Sequence, residues 1–155
     1  MAFTFAALAS EINNDPQTYG FAAFVQAGND QAITDALNKV RDGTDGEAAQ
    51  IVKRPNITGG EILEAIDRAD FSANPNPALV AYFESATQQA SVRLVDEAGA
   101  DTRILSNIKG LLSASTASRT RLNAIAEEPG SRAQKLFGYS VRITNADVAT
   151  ALGRG

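Results

Sequence analysis

Cysteine, histidine and tryptophan are all missing from the 155 residues, and methionine occurs once. Without cysteine there is no disulfide stapling, no thiolate catalysis and no thiol redox chemistry. Without histidine the chain lacks the usual general base near neutral pH, the commonest zinc ligand and the middle member of a Ser-His-Asp triad. No apolar run approaches the roughly twenty residues of a membrane span. The first stretch, MAFTFAALASEINND, carries no basic segment and reaches Glu11 and Asp15 within one helical length. It reads as an amphipathic helix rather than a signal peptide.

What is present suits a globular chain. The 44% hydrophobic and 21% charged fractions exclude a disordered composition, and the length suffices to bury a core of Leu, Ile, Val, Ala and seven Phe. The net charge of −4 is unevenly spread: residues 1–50 carry 2 basic and 7 acidic side chains, residues 51–100 carry 4 and 7, and residues 101–155 carry 8 and 4. Such polarity favours docking against charged neighbours, head-to-tail copies of the same chain included.

Apolar spacing predicts mainly helices. Phe3, Phe5, Leu8 and Ile12 place a first helix over Thr4 to about Asn13, stopped by Asn13-Asn14 and Pro16. Phe21, Phe24 and Val25 form a short apolar turn closed by Gly28. Asn29 or Asp30 caps a third helix carrying Ile33, Leu37 and Val40. After the polar loop Arg41 to Gln50, IVKRPNI reads as extended, because Pro55 biases Arg54 away from helix. Thr58 and Glu61 form a capping box for a helix with Ile62, Leu63 and Ile66, and Pro77 suits the first turn of the next. ASVRLVDEAGAD fits either a short strand around Val92 and Leu94 or a helix running on to Glu97. Asp101 reads as the cap of an amphipathic helix through Ile104, Leu105, Ile108, Leu111 and Leu112, and EEPG halts the helix that follows it.

Near the end, GSRAQKLFG is a helix-sized stretch between two glycines, with Ser131 as N-cap and Gly138 after its close. VRIT then runs extended, and Thr144 or Asn145 caps a last short helix bearing Val148, Ala149 and Leu152. Residues 130–153 therefore read as a C-terminal helical clasp. Arg132 opposes the macrodipole at a helix start, which calls for a carboxylate partner or an intermolecular contact. Phe137-Gly138 beside basic Arg132 and Lys135 could serve as a docking knob.

The pattern S-R-A-x-x-L-F-G followed by V-x-I-T-x-x-D-V-x-x-A-L resembles the C-terminus of small proteins encoded in tailed-bacteriophage genomes. Glu11-Ile12-Asn13-Asn14-Asp15-Pro16, with Tyr19-Gly20-Phe21 after it, is similar to their E-I-x-x-D-P start, and Ala36-Leu37-Asn38 to a following L-N helix end. Gln134 departs from the usual acid after S-R-A, and Phe21 from the usual Tyr. The matches touch both ends and one inner site; the middle is not distinctive. The resemblance implies a phage late-gene product, a virion component or assembly factor of tail or neck, and it transfers no catalytic residue.

Candidate chemistry is sparse. Glu61, Glu64, Asp67 and Asp70 recur every three residues, a spacing that drifts around a helix, and Glu64 can pair with Arg68. DGTDGE lacks the register of an EF-hand and reads as tight turns. ITGGE lacks the lysine of a phosphate loop. Glu11 would be the acid of a two-carboxylate lysozyme, but no suitably placed Asp-and-Thr pattern follows it, and the acidic chain would be repelled from an anionic wall. The basic C-terminal third, Arg119 and Arg121 above all, invites nucleic acid but lacks aromatic interleaving.

The expectation is one all-α or nearly all-α domain over residues 1–155, with about six to nine short helices and at most a minor extended segment. It is non-enzymatic, needs no cofactor or metal, and touches no membrane. Its partners are other phage structural proteins and copies of itself, met through a candidate interface of Arg132, Lys135, Phe137, Arg119 and Arg121. Its place is the virion, after synthesis in the host cytoplasm. The competing expectation is a DNA-binding regulator or packaging accessory that uses the basic third.

Overall fold

The computed structural model describes residues 2–96 and 99–154. The chain forms two compact units, Met1–Val52 with Pro129–Gly155, and Lys53–Glu128.

In the first unit, α1 (Phe5–Asn14) starts where Thr4 Oγ1 accepts the Ala7 N–H at 3.1 Å. It stops at Asp15, which sits in the left-handed region at φ 40° just before Pro16. The Asp15 carboxylate then accepts the backbone N–H groups of Tyr19, Gly20 and Phe21 at 2.7, 2.7 and 3.1 Å, and so sets the start of α2 (Phe21–Gln26). Asn29 caps α3 (Asp30–Asn38). From the other end of the chain, α8 (Arg132–Phe137) and α9 (Asn145–Ala151) each open in a capping box, Ser131 with Gln134 and Thr144 with Asp147. Leu8, Ile12, Phe21, Ile33 and Leu37 pack with Ala133, Phe137, Ile143 and Val148, so the two chain segments share one core.

The second unit is continuous and mostly helical. The capping box of Thr58 and Glu61 starts α4 (Gly59–Ala65). A Cβ on Gly59 would collide with the Thr87 carbonyl, so only glycine permits this approach to the end of α5 (Pro77–Thr87). Asn76 caps α5 with Pro77 in its first turn. Before it lies a 3-10 turn, Arg68–Asp70, and after it come α6 (Arg103–Leu111) and α7 (Ala117–Ile125). Ile57, Ile62, Phe83, Leu94, Leu105, Ile108, Leu111 and Leu122 form the core, each at most 1% exposed.

The expectation of a nearly all-α fold is wrong. The chain is 51% helical and 11% strand, with a three-stranded sheet of β1 (Val40–Arg41), β2 (Ile51–Lys53) and β3 (Glu127–Ser131) in the order β1-β3-β2. β1 runs antiparallel to β3, Val40 opposite Ser131 and Arg41 opposite Gly130. Val40 therefore belongs to a strand and not to the third helix, which ends at Asn38. EEPG, read as a helix stop, is most of the central strand. Its Pro and Gly argue against a strand locally, but tertiary fit decides. A Cβ on Gly130 would lie 2.5 Å from Val52 Cγ1, so glycine is what lets this strand pass the Val52 side chain.

Smaller differences have local causes. Thr102, not Asp101, caps α6, because its Oγ1 accepts the Leu105 N–H, while Asp101 binds Lys109 Nζ at 2.8 Å. VRIT forms no strand: the Asn38 side chain takes both the N–H and the C=O of Ile143, at 3.0 and 2.7 Å. The ASVRLVDEAGAD segment makes single bridges, Val92 with Ile57 and Val95 with Asp101. Glu97, the limit of its helical reading, lies outside the described residues.

Candidate functional site

Arg132 donates from Nε and Nη2 to the two Glu11 oxygens at 2.7 and 3.0 Å, with side chains only 12% and 7% exposed. The carboxylate that a cation at a helix start requires is thus supplied from α1. Phe137 is buried in the core of its unit, with the Phe3 ring edge-on at 5.3 Å. Lys135 is exposed and makes no ion pair among the described residues.

Arg119 and Arg121 belong to the second unit and serve its helix ends. Arg119 donates to the carbonyls of Lys109, Leu112 and Ser113 at 2.7, 3.0 and 3.1 Å, which closes the C-terminus of α6. Arg121 donates to the Ala65 carbonyl at 2.8 Å, in the last turn of α4, and to Ser118 Oγ at 3.2 Å.

The acids of α4 and its sequel have separate tasks. Glu61 accepts the Thr58 N–H and Arg54 Nη1, each at 2.8 Å, and the Arg54 hydrogen bond is the main cause that holds its carboxyl at about 2. The expected pairing of Glu64 with Arg68 does not form, since Arg68 reaches Glu84 at 3.3 Å. Asp67 Oδ1 accepts the Ala69 N–H of the 3-10 turn, and the Ser118 backbone N–H donates to Asp70 at 2.9 Å. Hydrogen bonding from Ser118 holds the Asp70 carboxyl below its ordinary value. Among the described residues no group of three or more acids could hold a metal ion.

The DGTDGE loop is pinned by charge. Lys39 Nζ meets Asp45 at 2.6 Å and Glu47 at 2.8 Å, and Arg41 Nε pairs with Glu47. The Lys39 hydrogen bonds lower both carboxyls, and Asp45 foremost raises the lysine. Asp42 accepts the Thr44 hydroxyl and N–H, an Asx turn.

Beside this loop, within the first unit, lies a cleft of roughly 680 Å³ lined by Tyr19, Phe24, Asp35, Ala36, Lys39 and Glu47 among others. Arg41 also lines it and is 2% exposed, with its guanidinium 4.1 Å from the centre of the Tyr19 ring. Its Nη1 donates to Ala36 O and Lys39 O at 2.7 and 3.0 Å, so it also closes the end of α3. The Tyr19 hydroxyl is buried without a hydrogen-bond partner among the described residues, and burial pushes it up against the opposing pull of Arg41. Sequence spacing does not announce this cleft, because its walls come from a turn, a helix end and a loop. The one available signal was that two acids, Asp45 and Glu47, follow the cations Lys39 and Arg41 within a few residues.

Compared with known proteins, the chain matches no family model, no curated protein and no solved structure.

Proposed function

We propose that the protein is a non-enzymatic structural or accessory component of a tailed-phage particle, of the tail or the head–tail region, working through protein–protein interfaces. One observation carries this reading: the residues of the phage-like patterns at the two chain ends fasten one another. Glu11 of the E-I-x-x-D-P start holds Arg132 of S-R-A, and Asn38 of A-L-N holds Ile143 of V-x-I-T. Asp15 holds Tyr19-Gly20-Phe21. A signature whose members maintain shape suits a protein whose product is a surface, and Glu11, the one candidate lysozyme acid, is engaged by Arg132.

The partners are other phage structural proteins and further copies of the chain. A DNA-binding role for Arg119 and Arg121 has less support, because their nitrogens already donate to the ends of α6 and α4. Mass spectrometry and cross-linking of purified particles and assembly intermediates test the reading. The expected result is the protein cross-linked to structural components, and its absence from both preparations would overturn the proposal.

A further inference from the structure

We infer that the cleft beside the DGTDGE loop receives a basic side chain from a second copy of this chain, presented by the exposed Lys135 or Arg142. The inference rests on the interface reading above and names its partner.

The cleft has a carboxylate that no cation among the described residues meets. Asp35 and Glu47 line it with Lys39 and Arg41, and both cations are already engaged, Lys39 by Glu47 and by Asp45 beside the cleft, Arg41 by Glu47. Asp35 is exposed, accepts Gln31 Nε2 at 2.7 Å and meets no cation among the described residues. Phe24 and Tyr19 offer apolar ring surface, and Ala32 and Ala36 leave room beside them. Small residues, an aromatic ring and an unneutralised carboxylate suit the aliphatic stem and charged head of a lysine or arginine.

The same unit displays the complement. Lys135 and Arg142 are both exposed, and neither makes an ion pair among the described residues. Between them Tyr139 is 39% exposed. Phe5, 44% exposed, adjoins this stretch through Phe3, whose ring meets Phe5 at 5.4 Å and Phe137 at 5.3 Å. Each copy therefore carries an acidic socket and a basic, aromatic knob. Contacts between unlike patches are the kind from which rings of copies are built.

Sedimentation velocity of the full chain over a range of concentration and salt tests the contact. The wild type is expected to associate at low ionic strength and to dissociate as salt shortens the screening length toward about 3 Å. Asp35→Lys, and separately Lys135→Glu with Arg142→Glu, should each give a monomer with unchanged circular dichroism. Each variant keeps one intact half, so an equimolar mixture of the two should associate again. A wild type that stays monomeric throughout, variants that associate as the wild type does, or a mixture that fails to recover would overturn the inference. If the protein were still found cross-linked to structural components in particles, the interface reading would stand and only the copy-to-copy contact would fall.

Discussion

The two units use arginine in different ways. In the unit made from both chain ends, arginines join carboxylates across the two segments: Arg132 with Glu11 and Arg154 with Asp30 at 2.9 Å. In the continuous unit, Arg68 meets Glu84 and Arg54 meets Glu61, but Arg119 and Arg121 meet backbone carbonyls at helix ends. Connectivity accounts for the difference. A core assembled from two segments separated by the whole of 53–128 must offset the entropy of bringing them together, so side chains that cross between the segments are placed there. A continuous run of short helices has many unpaired carbonyls instead, and a planar guanidinium can satisfy several at once. Arg54 and Arg41 each do both, joining a carboxylate and a carbonyl.

The largest expected effect breaks the first of these patterns. Arg132→Ala leaves Glu11 charged and buried, at a cost of roughly 3–5 kcal/mol. Native-state hydrogen exchange should show amides of 2–52 and 129–154 losing protection while those of 54–96 and 101–126 keep theirs. Equal loss in both units would erase the distinction. Gly130→Ala comes next, costing about 1–3 kcal/mol in urea unfolding through the clash with Val52, and relieved when Val52→Ala is added. Arg119→Ala probes the second pattern and should cost about 1–2 kcal/mol. Arg119→Lys should recover only part, since one ammonium cannot span the carbonyls of Lys109, Leu112 and Ser113.

The smallest effect is pH-dependent. Glu61 titrates at about 2 in the folded chain against an ordinary 4.5. A depressed carboxylate adds stability above its unfolded value, and that stability is lost as pH falls from 4.5 toward about 2. Glu61→Gln, which keeps a cap acceptor, should flatten that acid limb of the urea midpoint. Solvent screening at this half-buried position keeps the change small.

The helices were legible because their signals are local. Thr58 with Glu61, Asn76-Pro77, Ser131 and Thr144 announce their elements within a turn. The sheet was not, because Glu-Glu-Pro-Gly-Ser has no strand character and pairs through the fit of Gly130 against Val52 and through the distant strand partners Val40 and Arg41. Arg132 showed that it needed a carboxylate, but nothing in the sequence distinguishes Glu11 from the other acids. The cleft escaped for the same reason, since Tyr19, Asp35 and Glu47 converge only once α3 and its loop are folded. Of the candidate interface, Lys135 stays exposed and Phe137 enters the core. That outcome follows from the helix phase of α8 against α3, which its short sequence leaves open.

A double-mutant cycle on Glu11 and Arg132, read as urea stability of Glu11→Leu, Arg132→Met and the pair, addresses the claim that the chain ends are fastened to each other. Each single change should be strongly destabilising, and the pair should recover by a coupling of about 1–3 kcal/mol. Additive losses would contradict it, placing the partners of these two residues elsewhere.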